Sequence, residues 1–172
     1  MARLHEIPTR GEGGAFHVIV ESPRGSTVKL KYEPDFNAFS LSRPLTLGLR
    51  YPFDWGFVPS TKAPDGDPLD AMVLWEEPTF PGVVLPCRAL GVLKVDEDGD
   101  AGKRVRNDRL IATPVAALRL AELKTVFDLS ERDRDELGHF FLTVTAFSQK
   151  NAKLLGWGGP DEAEAVLKQA LS

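Results

Sequence analysis

The feature that most constrains the fold is a series of short strand-like segments in the first two thirds of the chain. Residues 27–33 alternate strictly between apolar and charged side chains, as a half-buried strand does. The charged face carries Lys29, Lys31 and Glu33. Other such segments, separated by Gly, Pro and Asp, are residues 15–21, 38–41, 71–75, 82–87, 90–95 and 110–112. This spacing favours a barrel or a sandwich over a sheet built from strand–helix–strand units.

The last quarter of the chain carries two helical patterns instead. Residues 130–147 begin with Ser130, a suitable N-cap, and continue with apolar side chains spaced along one helix face. Residues 160–171 begin with Pro160, which suits the first position of a helix, and acidic residues follow it. The pattern therefore predicts two C-terminal helices that flank a strand-rich body.

Composition describes an ordinary soluble protein. The 172 residues fit one domain with a substantial core, and 42% hydrophobic with 27% charged residues is typical of a globular chain. No internal repeat or linker divides the sequence. We therefore expect a loose N-terminal segment over residues 1–14 and a single domain over residues 15–172.

The same features limit the partners and the compartment. The formal net charge of −4 argues against nucleic acid or an anionic membrane as the main partner. No apolar stretch resembles a signal peptide or a membrane helix. The single cysteine, Cys87, excludes an intrachain disulfide and suits a reducing compartment. We expect a cytoplasmic protein that binds neither nucleic acid nor membrane.

The segment PDGDPLD, residues 64–70, places three carboxylates in one turn. They belong to Asp65, Asp67 and Asp70. Because like charges repel, a hard divalent cation such as Mg²⁺, which prefers oxygen ligands, would stabilise such a cluster. A solvated surface turn explains the same residues, since Asp-Gly and Asp-Pro are common in turns. On this motif alone both interpretations stay open.

A second acidic segment, residues 95–103, follows a strand-like stretch. Its acidic residues are Asp96, Glu97, Asp98 and Asp100. Taken alone, this segment is better explained as a hairpin loop with a polar tip. An EF-hand would not explain it, because its required glycine is replaced by Ala101 here and by Asp70 in the first acidic segment. The flanking segments also resemble strands rather than helices.

Basic residues lie apart from the acidic clusters. Lys29 and Lys31 share the strand face described above, Arg43 follows in SLSRP, and Lys103 ends the second acidic segment. Clustered acids for a metal and separate cations for an anion together suggest phosphate chemistry. Each lysine taken alone is better explained as a solvated surface charge.

The order of several motifs resembles the soluble family I inorganic pyrophosphatases. The motifs are VIVESPRGS (18–26), KYE (31–33), Arg43, YPFDWGFVP (51–59), DGDPLDAMVL (65–74), PGVVLPCRALGVLKVDEDGD (81–100), HFF (139–141) and GW (156–157). The resemblance covers about residues 15–157. It implies a mainly β fold, with a five-stranded OB-like β-barrel and two C-terminal helices, and a homo-oligomer. It also implies hydrolysis of pyrophosphate to two phosphates with Mg²⁺, or with Mn²⁺ or another divalent cation.

The resemblance assigns roles to individual acidic residues. Asp67 would be the general base that accepts a proton from the attacking water. Metal ligands, either direct or through bound water, would be Asp65, Asp70, Asp96, Glu21 and Glu33, and Asp70 would bridge two metals. Two metals lower the pKa of a shared water, so no covalent intermediate is needed.

The substrate roles follow in the same way. Lys31 and Arg43 would hold phosphate, with Lys103 assisting. Lys29 is a rival for the role of Lys31, because both lie on one strand face. Tyr51 would line the site from behind.

The chain also departs from the family pattern. An aspartate usual in the second acidic segment aligns with Ala101, and we expect Asp100, one residue earlier, to serve as a metal ligand instead. A Tyr-Lys pair usual after HFF is replaced by Val144 and Thr145, and Trp55 stands where a substrate-contacting tyrosine is usual. We interpret Lys150 and Lys153 as solvated surface lysines rather than replacements. The departures leave open a hydrolase for another phosphoanhydride or phosphoester, and a non-enzymatic homologue that binds metal or phosphate.

Overall fold

The computed structural model describes residues 3–171, so Met1, Ala2 and Ser172 lie outside the described residues. Residues 3–14 pack on the body, where the hydroxyl of Thr9 donates to the carbonyl of Pro59 at 2.7 Å. The amide of Ser60 donates to the carbonyl of His5 at 3.0 Å. The sequence predicts that residues 1–14 are loose, which is a statement about motion, and this stays a prediction. The single domain over residues 15–172 stays a prediction as well.

This part of the chain contains nine strands and two α-helices. The strands are β1 (Phe16–Ser22), β2 (Val28–Glu33), β3 (Ala38–Pro44), β4 (Asp54–Phe57), β5 (Asp70–Val73), β6 (Val84–Asp98), β7 (Arg104–Arg106), β8 (Arg109–Pro114) and β9 (Lys153–Gly158). The helices are α1 (Glu131–Val144) and α2 (Pro160–Ala170). The fold is mainly β with two C-terminal helices, as the sequence predicts.

Five strands pair in a closed ring. Strand β1 pairs antiparallel with β4, β4 with β5, β8 with β6, and β6 with β1, while β5 and β8 pair in parallel. This ring is compatible with the OB-like barrel that the resemblance implies. Strands β7 and β9 extend the sheet from β6, and β2 and β3 form a separate hairpin.

Strand β6 holds the architecture together. It is 15 residues long and pairs with β1, β7, β8 and β9. The sequence predicts two segments here, 82–87 and 90–95, but they are one strand. An irregular register between Ala89 and Gly91 lets the strand turn from one neighbour to the next.

Three strands were not predicted from the sequence. Strand β4 lies inside the YPFDWGFVP motif and is only four residues long, so alternation cannot reveal it. Strands β7 and β9 are also short, and their side chains are mostly exposed or half-buried. Their apolar periodicity is therefore weak.

The helices pack on two different parts of the core. Helix α1 contributes Phe140 and Phe141 to a cluster with Met72 and Ile111, and α2 contributes Leu167 to the other large cluster. The amide of Asp133 donates to Ser130 Oγ at 3.0 Å, which confirms the predicted N-cap. Within residues 3–171, neither helix has the length and apolar character needed to cross a membrane.

Candidate functional site

A cavity of about 370 Å³ lies where the β2–β3 hairpin, the end of β1, the PDGDPLD loop and the start of β8 converge. Eight of the residues predicted from the sequence line this cavity: Glu21, Lys29, Lys31, Glu33, Arg43, Asp65, Asp67 and Asp70. They come from four segments that are separated along the chain. The fold therefore brings the first acidic cluster and the predicted cations into one place.

Strand alternation explains how β2 supplies three of these side chains. Lys29, Lys31 and Glu33 occupy alternate positions and all line the cavity. The hydroxyl of Ser40, on β3, donates to Glu33 Oε1 at 3.0 Å and orients that carboxylate. Both rival lysines are thus at the site, and burial lowers the pKa of Lys29.

The PDGDPLD loop is a tight turn anchored by its own backbone. The amide of Ala63 donates to the carbonyl of Asp67 at 2.7 Å, and the amide of Asp67 donates to Asp65 Oδ1 at 3.1 Å. Gly66 has φ of 91°, a conformation that favours glycine. Leu69 is buried just before β5 and fixes the loop to the core. The acids therefore occupy defined positions.

Two carboxylates of the cavity resist ionisation. Burial raises the pKa of Glu21 to about 7, and the nearby charge of Asp70 adds to the rise, although the amide of Tyr32 donates to Glu21 at 2.8 Å. Burial also raises the pKa of Asp65, with contributions from Asp70 and Asp67. A cation bound among these oxygens would stabilise their ionised forms. Hard divalent cations prefer such oxygen donors, so the donor set fits Mg²⁺ or Mn²⁺.

The second acidic segment is placed differently. Asp96 forms an ion pair with Arg104, whose hydrogen bond lowers the pKa of Asp96. Asp100 begins a short turn, Asp100–Gly102, at the tip of the β6–β7 hairpin, and Lys103 follows it. None of Asp96, Asp100 and Lys103 is among the described residues that line the cavity. The structure therefore does not bring these three to the other predicted site residues.

The reason is the alternation of β6 together with the length of the hairpin. Asp96 and Asp98 both contact Arg104, whereas Glu97, between them, points to the opposite face and is buried. Five residues, 99–103, then connect β6 to β7, and none of them lines the cavity. The alignment that put Ala101 at the position of the family's aspartate, with Asp100 one residue earlier, therefore describes a hairpin tip.

Two further residues at the cavity were missed from the sequence. Arg109 Nη1 lies 2.8 Å from Asp70 Oδ2, and Asn107 Nδ2 donates to Glu97 Oε1 at 2.8 Å. Both Asn107 and Arg109 line the cavity. The parallel pairing of β5 with β8 sets Asp70 opposite Arg109, and only the fold shows this neighbour. Glu97, the partner of Asn107, was also missed as a residue near the cavity. The alternation of side chains along residues 95–98 was the sequence signal that could have indicated it.

Lys150 also differs from its interpretation as a solvated surface lysine. It lines the cavity, and its Nζ donates to Glu97 Oε1 at 2.8 Å. Burial opposes ionisation of Glu97, but the hydrogen bonds from Lys150 and Asn107 outweigh it and lower the pKa of Glu97. Glu97 is therefore held as a carboxylate by groups of the protein.

Trp55 and Tyr51 lie behind the cavity rather than on its wall. They line a small adjoining space of about 30 Å³, together with Lys29, Arg43 and Arg109. Tyr51 stacks on Trp55 with ring centroids 6.2 Å apart, and the guanidinium carbon of Arg109 lies 5.6 Å from the Trp55 ring centroid. The two aromatic residues therefore support the cations of the site from behind.

Arg43 is fixed by the end of α1. Its Nη2 donates to the carbonyl of Val144 at 2.6 Å, and Thr145, which follows, lines the cavity. Val144 and Thr145, which replace the Tyr-Lys pair of the family pattern, thus lie beside Arg43, a residue predicted to bind phosphate. There the helix supplies a carbonyl and a hydroxyl rather than a second cation.

A sequence profile described as inorganic pyrophosphatase matches residues 18–172. The chain belongs to the inorganic pyrophosphatase family. It is 36% identical to the inorganic pyrophosphatase of Nostoc sp. over 168 residues, which cover 98% of this chain and 96% of the relative. It is also 36% identical to the Thermus thermophilus enzyme, with 98% of this chain and 94% of the relative covered.

Solved structures agree with this membership. The crystal structure of inorganic pyrophosphatase from Thermus thermophilus matches with a TM-score of 0.90 at 33% identity, covering 99% of this chain and 97% of that chain. The Coxiella burnetii inorganic pyrophosphatase matches with a TM-score of 0.86 at 32% identity, covering 96% and 98%. The family predicted from the motifs is confirmed, and its members are hydrolases of a phosphoanhydride.

Proposed function

We propose that this pyrophosphatase-family chain hydrolyses inorganic pyrophosphate to two phosphates with a metal-activated water and a divalent cation, Mg²⁺ or Mn²⁺. One observation carries the proposal: a single cavity is lined by both a group of carboxylates and a group of basic side chains. The acids are Glu21, Glu33, Asp65, Asp67 and Asp70, and the bases include Lys29, Lys31 and Arg43. We also propose a cytoplasmic homo-oligomer, from composition and resemblance.

The acids of the loop would hold the cation. Within residues 3–171, no group of three or more acidic, histidine or cysteine side chains is already gathered tightly enough to hold a metal. Asp65 and Asp70 would therefore draw together on binding, with Glu21 and Glu33 around them. A bound divalent cation would lower the pKa of a water molecule and screen the charge of pyrophosphate.

The protein's own groups would move the proton and hold the substrate. Asp67, whose side chain is 66% exposed, is accessible to a water molecule and would accept its proton. Lys31 Nζ lies 3.9 Å from Asp67 Oδ1, so the base and a phosphate-binding cation are neighbours. Lys29 and Arg43 would bind the phosphate oxygens and stabilise the charge of the leaving group.

A second candidate substrate class is another phosphoanhydride or a phosphoester. The observation that favours it is the end of α1, where Val144 and Thr145 supply no cation and Ser148 also lines the cavity. Each charge-assisted hydrogen bond contributes about 1.5–3 kcal/mol. A pocket with fewer such bonds would discriminate less strongly for pyrophosphate.

The assignment of Asp67 is tested by phosphate release from pyrophosphate in Mg²⁺. We expect Asp67→Asn to lower the rate by roughly 10²–10⁴-fold, since it removes general-base catalysis. Asp135→Asn, the same change at an exposed position of α1, should leave the rate unchanged. Full turnover of Asp67→Asn would contradict the role of Asp67. A folded wild type that cleaves only another phosphate compound would favour the second substrate class.

A further inference from the structure

Lys150 is a cation of the cavity to which the proposed function assigns no role. Its side chain is 46% exposed and lines the cavity together with Thr145 and Ser148, which precede it in the chain. Those two residues carry hydroxyl groups rather than charges. In residues 145–150, which follow α1, Lys150 is therefore the residue that brings a positive charge to the cavity.

The fold fixes the backbone around Lys150. The amide of Asp98 donates to the carbonyl of Lys150 at 2.7 Å, and Arg104 Nη1 donates to the carbonyl of Asn151 at 2.8 Å. Gln149 and Asn151, on either side, have φ of 58° and 45°, a left-handed conformation that is uncommon for residues other than glycine. Backbone strain of this kind is concentrated at functional sites. The point from which the Lys150 side chain enters the cavity is therefore set by the structure.

The ammonium group of Lys150 has donors to spare. Its Nζ donates to Glu97 Oε1 at 2.8 Å, and this is the one acceptor that residues 3–171 give it. A lysine ammonium has three N–H donors. Glu97 Oε1 also accepts from Asn107 Nδ2 at 2.8 Å, whereas Glu97 Oε2 is buried without a hydrogen-bond partner. Lys150 therefore contacts one oxygen of Glu97, leaves the other free of hydrogen bonds, and keeps two donors for an anion.

We propose that Lys150 binds a phosphate oxygen of the substrate while its ammonium stays hydrogen-bonded to Glu97. The inference rests on the proposed function, because it adds a binding residue for the same substrate. The other lysines of the cavity, Lys29 and Lys31, belong to the β2–β3 hairpin, whereas Lys150 belongs to the connection between α1 and β9. The charge that Thr145 does not supply thus comes from a position five residues later.

The first test separates KM from kcat for pyrophosphate in Mg²⁺. Lys150→Met keeps an unbranched apolar side chain but loses the charge. It should raise KM roughly tenfold, the effect of losing one charge-assisted hydrogen bond, and should change kcat far less. Lys150→Arg, which keeps the charge, should restore most of the affinity. An unchanged KM in Lys150→Met overturns the inference and leaves the proposed function in place.

The matched control is Lys153→Met. Lys153 is three residues away, exposed, and not among the described residues that line the cavity. Its loss removes the same charge from the same part of the surface, so its KM and kcat should match those of the wild type. An equal rise of KM in both lysine variants would show that the overall charge of this surface matters and would overturn a specific contact at Lys150.

Chemical protection tests the contact itself and needs no turnover. Acetylation of the wild type by acetic anhydride is followed at each lysine by peptide mass spectrometry, in Mg²⁺, with and without methylenediphosphonate. This analogue of pyrophosphate has no P–O–P bond to hydrolyse. Lys150 should react several-fold more slowly with the analogue present, and Lys153 at the same rate. Equal acetylation of Lys150 in both conditions overturns the inference even if Lys150→Met raises KM, because Lys150 would then act through Glu97 alone.

The same experiment distinguishes failure of the inference from failure of the proposed function. Protection of Lys31 without protection of Lys150 would support the cavity as a phosphate site and overturn the inference. Protection of Lys150 in a chain that does not hydrolyse pyrophosphate would support the inference and contradict the proposed function. If the analogue protects neither lysine, both fail.

Discussion

At the scale of single residues, Glu21 shows how burial and charge act on a candidate metal ligand. It is 7% exposed at the end of β1 and accepts a hydrogen bond from the amide of Tyr32 at 2.8 Å. Burial and the nearby Asp70 still favour its protonated form. The fold therefore holds a carboxyl group whose ionisation is costly until a cation binds near it.

This gives a pH prediction for the metal-free protein. The pKa of Glu21 is raised from 4.5 to about 7 in the native state, so its stabilising effect is complete below pH 4.5 and is lost as pH rises through 7. In the wild type, the free energy of unfolding should therefore fall by about 3 kcal/mol as the pH rises, and Glu21→Gln should remove this fall. Urea unfolding at pH 5 and pH 8 in a chelator measures it. Equal pH dependence in wild type and variant would contradict the account.

Arg43 supports a second prediction at this scale. Its guanidinium reaches the carbonyl of Val144 while lining the cavity, a geometry that suits the planar donors of arginine. Arg43→Lys keeps the charge but loses that bond, so KM for pyrophosphate should rise roughly tenfold with the fold retained. Arg50→Lys, at an exposed position, is the control and should leave KM unchanged. An unchanged KM in Arg43→Lys would show that this orientation is unimportant.

At the scale of elements, Asp54 fixes β4 to the two segments beside it. Its carboxylate accepts from the amide of Arg24 at 2.8 Å, from Trp75 Nε1 at 3.2 Å and from Thr79 Oγ1 at 2.7 Å. Asp54 is fully buried, so its carboxylate depends on these protein donors rather than on solvent. Asp54 thus has a structural role, although it lies in a motif shared with a catalytic family.

Asp54→Ala should therefore destabilise the fold by about 3 kcal/mol, because three hydrogen bonds to one buried carboxylate are lost together. Chemical denaturation measures the change in the free energy of unfolding. Glu77→Ala, at an exposed position in the following loop, should change it by less than about 0.5 kcal/mol. A loss of equal size in both variants would argue against the proposed role of the Asp54 hydrogen bonds.

Elements with strong local patterns were predictable, and those set by pairing were not. The alternation of β2 placed Lys29, Lys31 and Glu33 on one face, and all three line the cavity. In β6 the resemblance singled out Asp96, yet the strand turns Glu97 toward the site. A one-residue shift moves a side chain to the opposite face of a strand, so an alignment error of one position reverses a site assignment.

At the scale of the whole molecule, ring closure depends on close backbone contact. A Cβ atom built on Gly56 would lie 1.9 Å from the carbonyl oxygen of Ile19, across the β1–β4 pair. Gly56→Ala should cost more than about 3 kcal/mol or prevent folding, since two strands of the ring must separate. Gly159→Ala is the control, because its nearest atom lies 3.7 Å away. Thermal melting compares them, and equal Tm values would contradict this account.

The long-range geometry of the site could not be read from the sequence. Arg109 and Asp70 are 39 positions apart and meet through the parallel β5–β8 pair, which no local pattern encodes. Lys150 reaches Glu97 from a segment between α1 and β9. The acids of PDGDPLD were predictable from their density, but the protein cations that neutralise part of the site were visible only in the fold.

The most direct test of the central claim is steady-state phosphate release from pyrophosphate by the wild-type chain, with Mg²⁺ and with EDTA in its place. The account predicts turnover with kcat of roughly 1–10³ s⁻¹ in Mg²⁺ and its loss in EDTA. Release that is equal in both conditions would contradict the metal requirement. No release from a folded protein in Mg²⁺ would contradict the assignment of this cavity as a pyrophosphatase site.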